Sequence, residues 1–566
     1  MAILLFLGTP ILAFVVWTTF SIFRNYQLAR RIGLPIVISP VSTLNPFWIL
    51  LWRGFPAVLS LKHLPWGLGT WARCTSMGWA FQDKHKLHAE IGPLFTLVTP
   101  AANEVTVADP EAAHAVLARR KDYIKPAAMY EQLNVFGRNL NTVEGEEWQR
   151  HRRLTAPSFN EKTSSLVWEE ARRQARDMAS SWSRQGPQGT TEVVADTATL
   201  ALHVLTCAGF GESYPFNQGV RKIAKGHAMT YRDSLALCLS NIITFAIIPK
   251  RYLSLSFFPQ KLRKLGQAVQ EFQQYMEEML ARERDSGAKG TSETPNLMSA
   301  LVRASDEDAH AKDSGQHSSK LGLSDEEIFG NIFAYNLAGH ETTANTVAYA
   351  LVLLAAHPQY QDWVREEIVQ VQNTLAGDYN SSFPRLQRCL AVMYETLRLY
   401  GSIVFIPRAA SHESQKLVNR KGDEFVLPPS TSVNLNVQAL HTDPKTWGLD
   451  SLSWRPSRWF TGSNRRTPSE KETESQTFIS VPKGSFIPWA DGPRVCPGQK
   501  FAQVEFVAVI ATLLGKYRVK PVLEAGQTEA DGRKSLLEMV DDSAIFAITL
   551  QMNQPRKVAL VWEALG

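Results

Sequence analysis

"PWADGPRVCPGQKFAQVEF", residues 488–506, sets one cysteine, Cys496, among three prolines and two glycines just ahead of an apolar helical pattern. Gly492 and Gly498 permit tight backbone turns, the prolines restrict them, and Gln499 to Leu514 continues as a helix. The sulfur therefore lies near a helix N-terminus. Backbone N–H groups and the helix dipole favour an anion there, so the expected thiol pKa is below its usual value. Arg494, two residues earlier, is suited to pair with an external carboxylate. Two readings stand side by side. An isolated cysteine is most often a buried packing residue, whereas a thiolate on a rigid turn beside such an arginine suits a haem iron with its propionates.

Upstream lies the longest helical signal. Ser324 and Glu327 make a capping box, and the apolar pattern from Asp325 runs for about 30 residues to a stop at His357-Pro358, against about 11 to 12 residues in an average helix. Such a helix is a bundle spine or the axis of a large domain. Inside it "AGHETT", residues 338–343, places Gly339 and a polar run in an otherwise apolar helix, the kind of conflict that marks function. A solvent-exposed polar turn would explain the hexapeptide taken alone. Adjacent helical residues point about 100° apart, so Glu341 and Thr342 face different directions. "YETLR" puts Glu395 and Arg398 on one helix face, a pairing that is commonplace on surfaces, and "EEWQRHRRL" carries Trp148 and Arg152 on a helix with a basic face. Further helices are predicted over Glu161–Trp182, Gln260–Arg284, Gln359–Leu375 and Leu386–Tyr400. Short strands are predicted over Phe95–Val98 and Val105–Ala108, with Asp109 capping a helix that opens at Pro110. The fold class is mainly α with small β-sheets. The polar stretches 304–320 and 462–477 read as solvated loops.

These segments together resemble the cytochrome P450 family. "WADGPRVCPG" is similar to its haem-ligand signature F-x-x-G-x-R-x-C-x-G: Gly492, Arg494, Cys496 and Gly498 match, and Trp489 stands for the phenylalanine. The resemblance implies the P450 fold, with the long helix passing over the distal face of haem b (iron protoporphyrin IX) and Cys496 as the axial thiolate. It implies that Thr342 holds dioxygen by a hydrogen bond and that Glu341 relays protons. Glu395 and Arg398 would form a buried structural triad with Arg458 of "WRPSRW". Trp148, Arg152, Arg408 of "IPRAA" and Arg494 would serve the propionates. Trp489 is expected to pack against the sulfur and donate an N–H bond to it.

By the same analogy the pocket is lined from residues 129–140, 213–253, 333–337, 402–406 and 544–546, most of them apolar, so a hydrophobic small-molecule substrate follows. The implied activity is monooxygenation fed by NADPH-cytochrome P450 reductase. "GQKFAQVEFVAV" and the Trp variant resemble natural-product tailoring enzymes of filamentous fungi. Two rivals remain: an isomerase or dehydratase on the same fold that needs no reductase, and a haem-binding protein without a substrate.

"ILLFLGTPILAFVVWTTFSIF", Ile3 to Phe23, is uncharged and long enough for a bilayer core of roughly 30 Å. Arg24, Arg30 and Arg31 follow, which marks an uncleaved anchor with the rest of the chain cytosolic. In this family that arrangement implies a single-pass protein of the endoplasmic reticulum membrane. The expected organisation is an anchor over 1–23, a basic, proline-containing hinge over 24–61 and a catalytic domain over 62–566. In the hinge, Pro46–Leu61 suits the membrane interface or core burial equally.

At 566 residues, 44% hydrophobic and 20% charged, the chain can bury a large core. A net charge of +6 without a basic tract argues against a nucleic-acid partner, and five scattered cysteines without a CxxC pair argue against a disulfide framework or a zinc site.

Overall fold

The computed structural model describes residues 2–43, 45–54, 58, 60–65, 67–216, 223–288, 296–299, 301–303, 305–306, 322–374, 377–461, 477–546 and 548–565. Its longer helices are α1 (Ala2–Ile32), α2 (Pro46–Gly54), α3 (Pro110–Ala118), α4 (Gly145–Thr155), α5 (Glu161–Ser183), α6 (Val193–Phe210), α7 (Tyr231–Ser240), α8 (Gln260–Ala288), α9 (Asp325–Ala356), α10 (Pro358–Thr374), α11 (Gln387–Tyr400), α12 (Gln499–Leu514) and α13 (Glu529–Asp541). The strands are β1 (Ile36–Ile38), β2 (Leu94–Val98), β3 (Asn103–Val107), β4 (Tyr123–Ile124), β5 (Phe405–Ala410), β6 (Gln415–Val418), β7 (Glu424–Leu427), β8 (Ser432–Asn436), β9 (Tyr517–Pro521), β10 (Ser543–Phe546), β11 (Thr549–Met552) and β12 (Leu560–Ala564). The two polar stretches expected as loops, 304–320 and 462–477, lie almost wholly outside the described residues.

Helix α9 is the axis. Ser324 Oγ accepts the Glu327 N–H at 3.2 Å and the Glu327 carboxylate accepts the Ser324 N–H at 3.0 Å, so the capping box forms. The same carboxylate takes Arg150 and His151 of α4, locking the start of α9 to that helix. Burial would raise its pKa, but the hydrogen bonds from His151, Arg150 and the Ser324 backbone hold it well below the usual carboxylate range. At the far end the His357 N–H closes onto the Leu353 and Leu354 carbonyls, and Pro358 starts α10. The C-terminal half of α9 is buried on every side in a core built with α5, α6, α11 and α12. Its N-terminal half, through Ile328, Ile332 and Phe333, joins a second core with α7 and α8. Segments of the expected pocket lining meet there: Phe136, Tyr231, Leu235 and Phe333 belong to that second core.

The main sheet runs in the order β1-β2-β3-β8-β5-β4. The two expected strands are β2 and β3, and they pair antiparallel, from Leu94 opposite Val107 to Val98 opposite Asn103. Burial alternates along β5, so Ile406, Arg408 and Ala410 share its buried face. α3 packs its apolar face under this sheet through Ala112, Ala113, Val116 and Leu117.

The apolar N-terminal stretch is helical, but the helix does not stop at Phe23. It continues through the arginines to Ile32, and Asn25 ties it to the body by donating to the Thr99 carbonyl at 2.9 Å. Leu12, Phe14, Trp17, Phe20 and Phe23 are exposed. In α2, Trp48 and Trp52 are buried, Trp48 donating to the Thr75 carbonyl, so core burial holds for that face, while Phe47 and Leu50 are exposed. Helix α6 is also long and apolar enough to cross a bilayer, yet most of it is buried in the protein core.

One buried carboxylate gives α11 a pH dependence. Glu367 of α10 accepts the Arg388 N–H at 2.9 Å and the Cys389 N–H at 3.4 Å, capping α11 from outside. Burial pushes its pKa up from 4.5 to about 7 against those bonds. The folded chain therefore holds this proton to higher pH than the unfolded chain does, and stability falls as pH rises from about 4.5 through about 7. Glu367→Gln is expected to flatten the dependence of Tm on pH across that window; an unchanged slope would refute the assignment.

Candidate active site

Cys496 is held by backbone. Its N–H donates to the Trp489 carbonyl at 2.9 Å, and the Val495 N–H donates to Gly492 at 3.1 Å. The turn needs left-handed residues: Ala490 has φ 61° and Gly492 φ 68°. A Cβ on Gly492 would lie 2.7 Å from the Leu117 carbonyl of α3, so a glycine is required on both counts. α12 starts at Gln499, as the sequence indicates. The direction of the thiol pKa is a correction. Burial pushes Cys496 up, and this outweighs the Gly498 N–H and the charge of Arg152, which pull it down. The Trp489 ring packs on Tyr394 and Phe486, with centroids at 5.5 and 6.3 Å, and it is the Trp489 main chain that bonds to Cys496.

Arg494 has an internal carboxylate rather than only an external one: it forms an ion pair with Glu144 and lies 4.7 Å over the Trp148 ring. Arg120 stacks on the same ring at 5.0 Å. Trp148 of α4 thus packs with two guanidinium groups. Arg408 donates to the Pro407 carbonyl at 2.8 Å and bonds to Tyr130. Nearby Lys125, also buried, donates to Asn141 O and Oδ1 at 2.6 and 2.7 Å. Arg494 pairs with Glu144, the Lys125 N–H donates to Glu144 Oε1 at 3.2 Å, and Arg408 and Arg120 lie near enough to act on Arg494. Burial lowers Arg494 to about 10 against the pull of Glu144, with Arg408 and Arg120 adding to the fall. Burial, then Arg494 and Arg408, holds Lys125 far below the usual lysine range. A group with two carboxylates would relieve this excess of positive charge. Sequence reasoning missed Lys125, Tyr130 and Glu144 as site residues; they carry no motif spacing, and only their contacts with Arg408 and Arg494 single them out.

On α9, Ala338 is exposed although Phe333, Asn336 and Thr343 around it are buried, so this stretch faces an opening within the protein. Gly339 lets α9 approach α6: a Cβ there would lie 3.2 Å from Leu205 Cδ2. The Thr342 hydroxyl donates back to the Ala338 carbonyl at 2.7 Å, while the Thr342 carbonyl accepts from Thr346 and Ser402. Glu341 points elsewhere, as the helical angle requires. Its Oε2 accepts Thr549 Oγ1 at 2.9 Å and Gln551 Nε2 at 3.5 Å from the β10–β11 hairpin. Burial raises its pKa and the Thr549 bond opposes that rise.

Glu395, Arg398 and Arg458 come together, fully buried. Arg398 grips Glu395 through Nε and Nη2 at 2.9 and 2.8 Å, and Arg458 Nε reaches the same carboxylate at 2.8 Å. Trp459 Nε1 and the Arg455 N–H complete its shell. Burial works against the charged form, yet the two guanidinium groups keep Glu395 below the usual carboxylate range.

A cysteine on a clamped turn, a cluster of cations and a long helix with a polar run inside it coincide with one family. The cytochrome P450 family model matches residues 66–540. The chain belongs to the cytochrome P450 family. It is 31% identical to the cytochrome P450 monooxygenase ORF6 of Penicillium roqueforti, over 98% of this chain and 97% of that protein. It is 30% identical to the cytochrome P450 monooxygenase prx9 of Penicillium rubens, with 98% and 97% covered. It is 31% identical to the phomenoic acid biosynthesis cluster cytochrome P450 monooxygenase of Leptosphaeria maculans, with 93% and 94% covered. Membership implies a haem-iron cofactor and monooxygenase chemistry, and the residues of this P450 fit that group: a sulfur on a rigid turn, and buried cations in excess over carboxylates.

Proposed function

We propose that this P450 is a membrane-tethered haem b monooxygenase that inserts one oxygen atom from O2 into a hydrophobic small molecule, as a tailoring step in secondary-metabolite biosynthesis. Electrons come from NADPH through NADPH-cytochrome P450 reductase. The balance is C–H, O2, two electrons and two protons to C–OH and water. The observation that carries this reading is the Cys496 turn, held by backbone hydrogen bonds, with the Gly498 N–H and the charge of Arg152 acting on its sulfur. Haem bound there supplies the oxygen-activating iron, with the thiolate favouring O–O cleavage.

The chain's own residues do the rest. Cys496 would ligate the iron, and Arg152, Arg408, Arg494 and Trp148 would hold the propionates. Thr342 lies where its lone pairs can accept a proton-bearing partner, because its own hydrogen is committed to Ala338. Glu341, held by Thr549, would pass protons inward. The exposed apolar face of α1 from Leu12 to Phe23 and the arginines after it support an endoplasmic reticulum anchor with a cytosolic catalytic domain. The mostly apolar second core supports a hydrophobic substrate, and the Leptosphaeria relative's cluster supports the metabolic setting.

The test is NADPH-dependent turnover with reductase on candidate terpenoid and polyketide substrates. Product formed without NADPH would mark a rearranging enzyme instead. For the proton path, Thr342→Ala is expected to keep consuming NADPH while product per NADPH falls by about tenfold or more, the balance appearing as peroxide. Unchanged coupling would remove Thr342 from the role.

A further inference from the structure

We propose that His114 of α3 is a positioning residue for the Cys496 ligand loop; the inference rests on the reading of Cys496 as the haem ligand. The loop lies along α3 and meets it at both ends. Gly484 abuts Pro110 at the start of the helix and Gly492 abuts Leu117 and Ala118 at its end, each so closely that a Cβ would fall within 3 Å of backbone. Between these points Ile487 and Ala490 pack on the apolar face of α3. One polar bridge joins the two elements: His114 Nδ1 lies 2.5 Å from Asp491 Oδ2. The other oxygen of Asp491 caps the turn, accepting the Gly492 N–H at 2.6 Å.

Asp491 therefore has two tasks, one per oxygen. Oδ1 fixes the turn that ends at Cys496, and Oδ2 fixes the carboxylate itself to a helix of the main body. His114 sits one helical turn before Leu117 and Ala118, so the bridge and the close backbone approach fall on one face of α3. Without the bridge the carboxylate can rotate away from Gly492. The left-handed Ala490, which costs energy for a residue with a Cβ, is then free to relax. The sulfur's position, not the folding of the domain, is what the bridge controls.

The experiment uses full-length holoprotein at matched haem content and compares His114→Leu, His114→Gln and Asp491→Ser with wild type. Asp491→Ser keeps a cap oxygen but cannot reach His114. The readouts are the fraction of reduced, carbon monoxide-treated protein showing the thiolate signature, the rate of haem loss to a scavenger, and far-ultraviolet circular dichroism. His114→Leu and Asp491→Ser are expected to lose haem about tenfold faster, with a several-fold smaller thiolate fraction and unchanged helicity. His114→Gln, whose amide can still donate to Asp491, is expected to restore most of the signature. Wild-type behaviour in His114→Leu and Asp491→Ser overturns this proposal alone, as does a His114→Gln protein as impaired as His114→Leu. A wild-type protein without the thiolate signature overturns the Cys496 assignment, and this inference with it.

Discussion

Cys496→Ser is expected to yield a folded protein that lacks the thiolate signature and has lost monooxygenase turnover. The substitution removes one atom type and little volume, and the bonds that shape the turn, from the Cys496 and Val495 N–H groups, are made by backbone. Circular dichroism and melting should therefore stay close to wild type. Turnover should not. Groups that merely orient a metal ligand already cost about 10–100-fold when removed, and loss of the ligand exceeds that. A serine hydroxyl is a far poorer electron donor to iron than a thiolate, so O–O cleavage loses its driving push. A serine protein that retains the thiolate signature would sink the assignment.

The second large effect concerns stability. Arg398 and Glu395 are both 0% exposed, and Arg398 also donates to the carbonyls of His441, Ser451 and Ser453. Arg398→Leu strips one cation from a buried carboxylate and removes the Arg398 bonds to the His441 and Ser451 carbonyls, while Ser453 keeps Arg458 Nη2 at 3.1 Å. Breaking a buried pair from one side costs about 3–5 kcal/mol, against a total stability of about 5–15 kcal/mol for a typical domain. The expected result is a sharp fall in Tm and in the yield of haem-loaded protein. Arg398→Lys is expected to fail nearly as badly, because an ammonium cannot make the two-pronged bond and reach the three carbonyls at once. Wild-type melting and haem content in Arg398→Leu would contradict the structural role given to the triad.

What was legible in the sequence was local. The capping box at Ser324, the stop at His357-Pro358, the Asp109 cap before Pro110 and the turn around Cys496 all rest on residues within a few positions of one another, whose chemistry acts through neighbouring backbone. Helix α6 escaped because it is apolar all round: buried on nearly every side, it shows no polar face to set a period. Lys125, Tyr130 and Glu144 escaped for the opposite reason. They are ordinary residues at uninformative spacing, brought against Arg408 and Arg494 by the fold.

The sequence by itself determined which cysteine sits on the clamped turn ahead of α12, where the long helix begins and ends, and which glutamate and arginines are available to pair. Those choices are written in turn formers, caps and spacings that act over a few residues. Tertiary structure decided the electrostatics. It made Glu144 the partner of Arg494, turned Glu341 toward Thr549, raised the Cys496 thiol and set His114 against Asp491. The physical reason is that burial and charge act through space, between groups up to several hundred residues apart in the chain, and no local pattern records how much water each of them loses on folding.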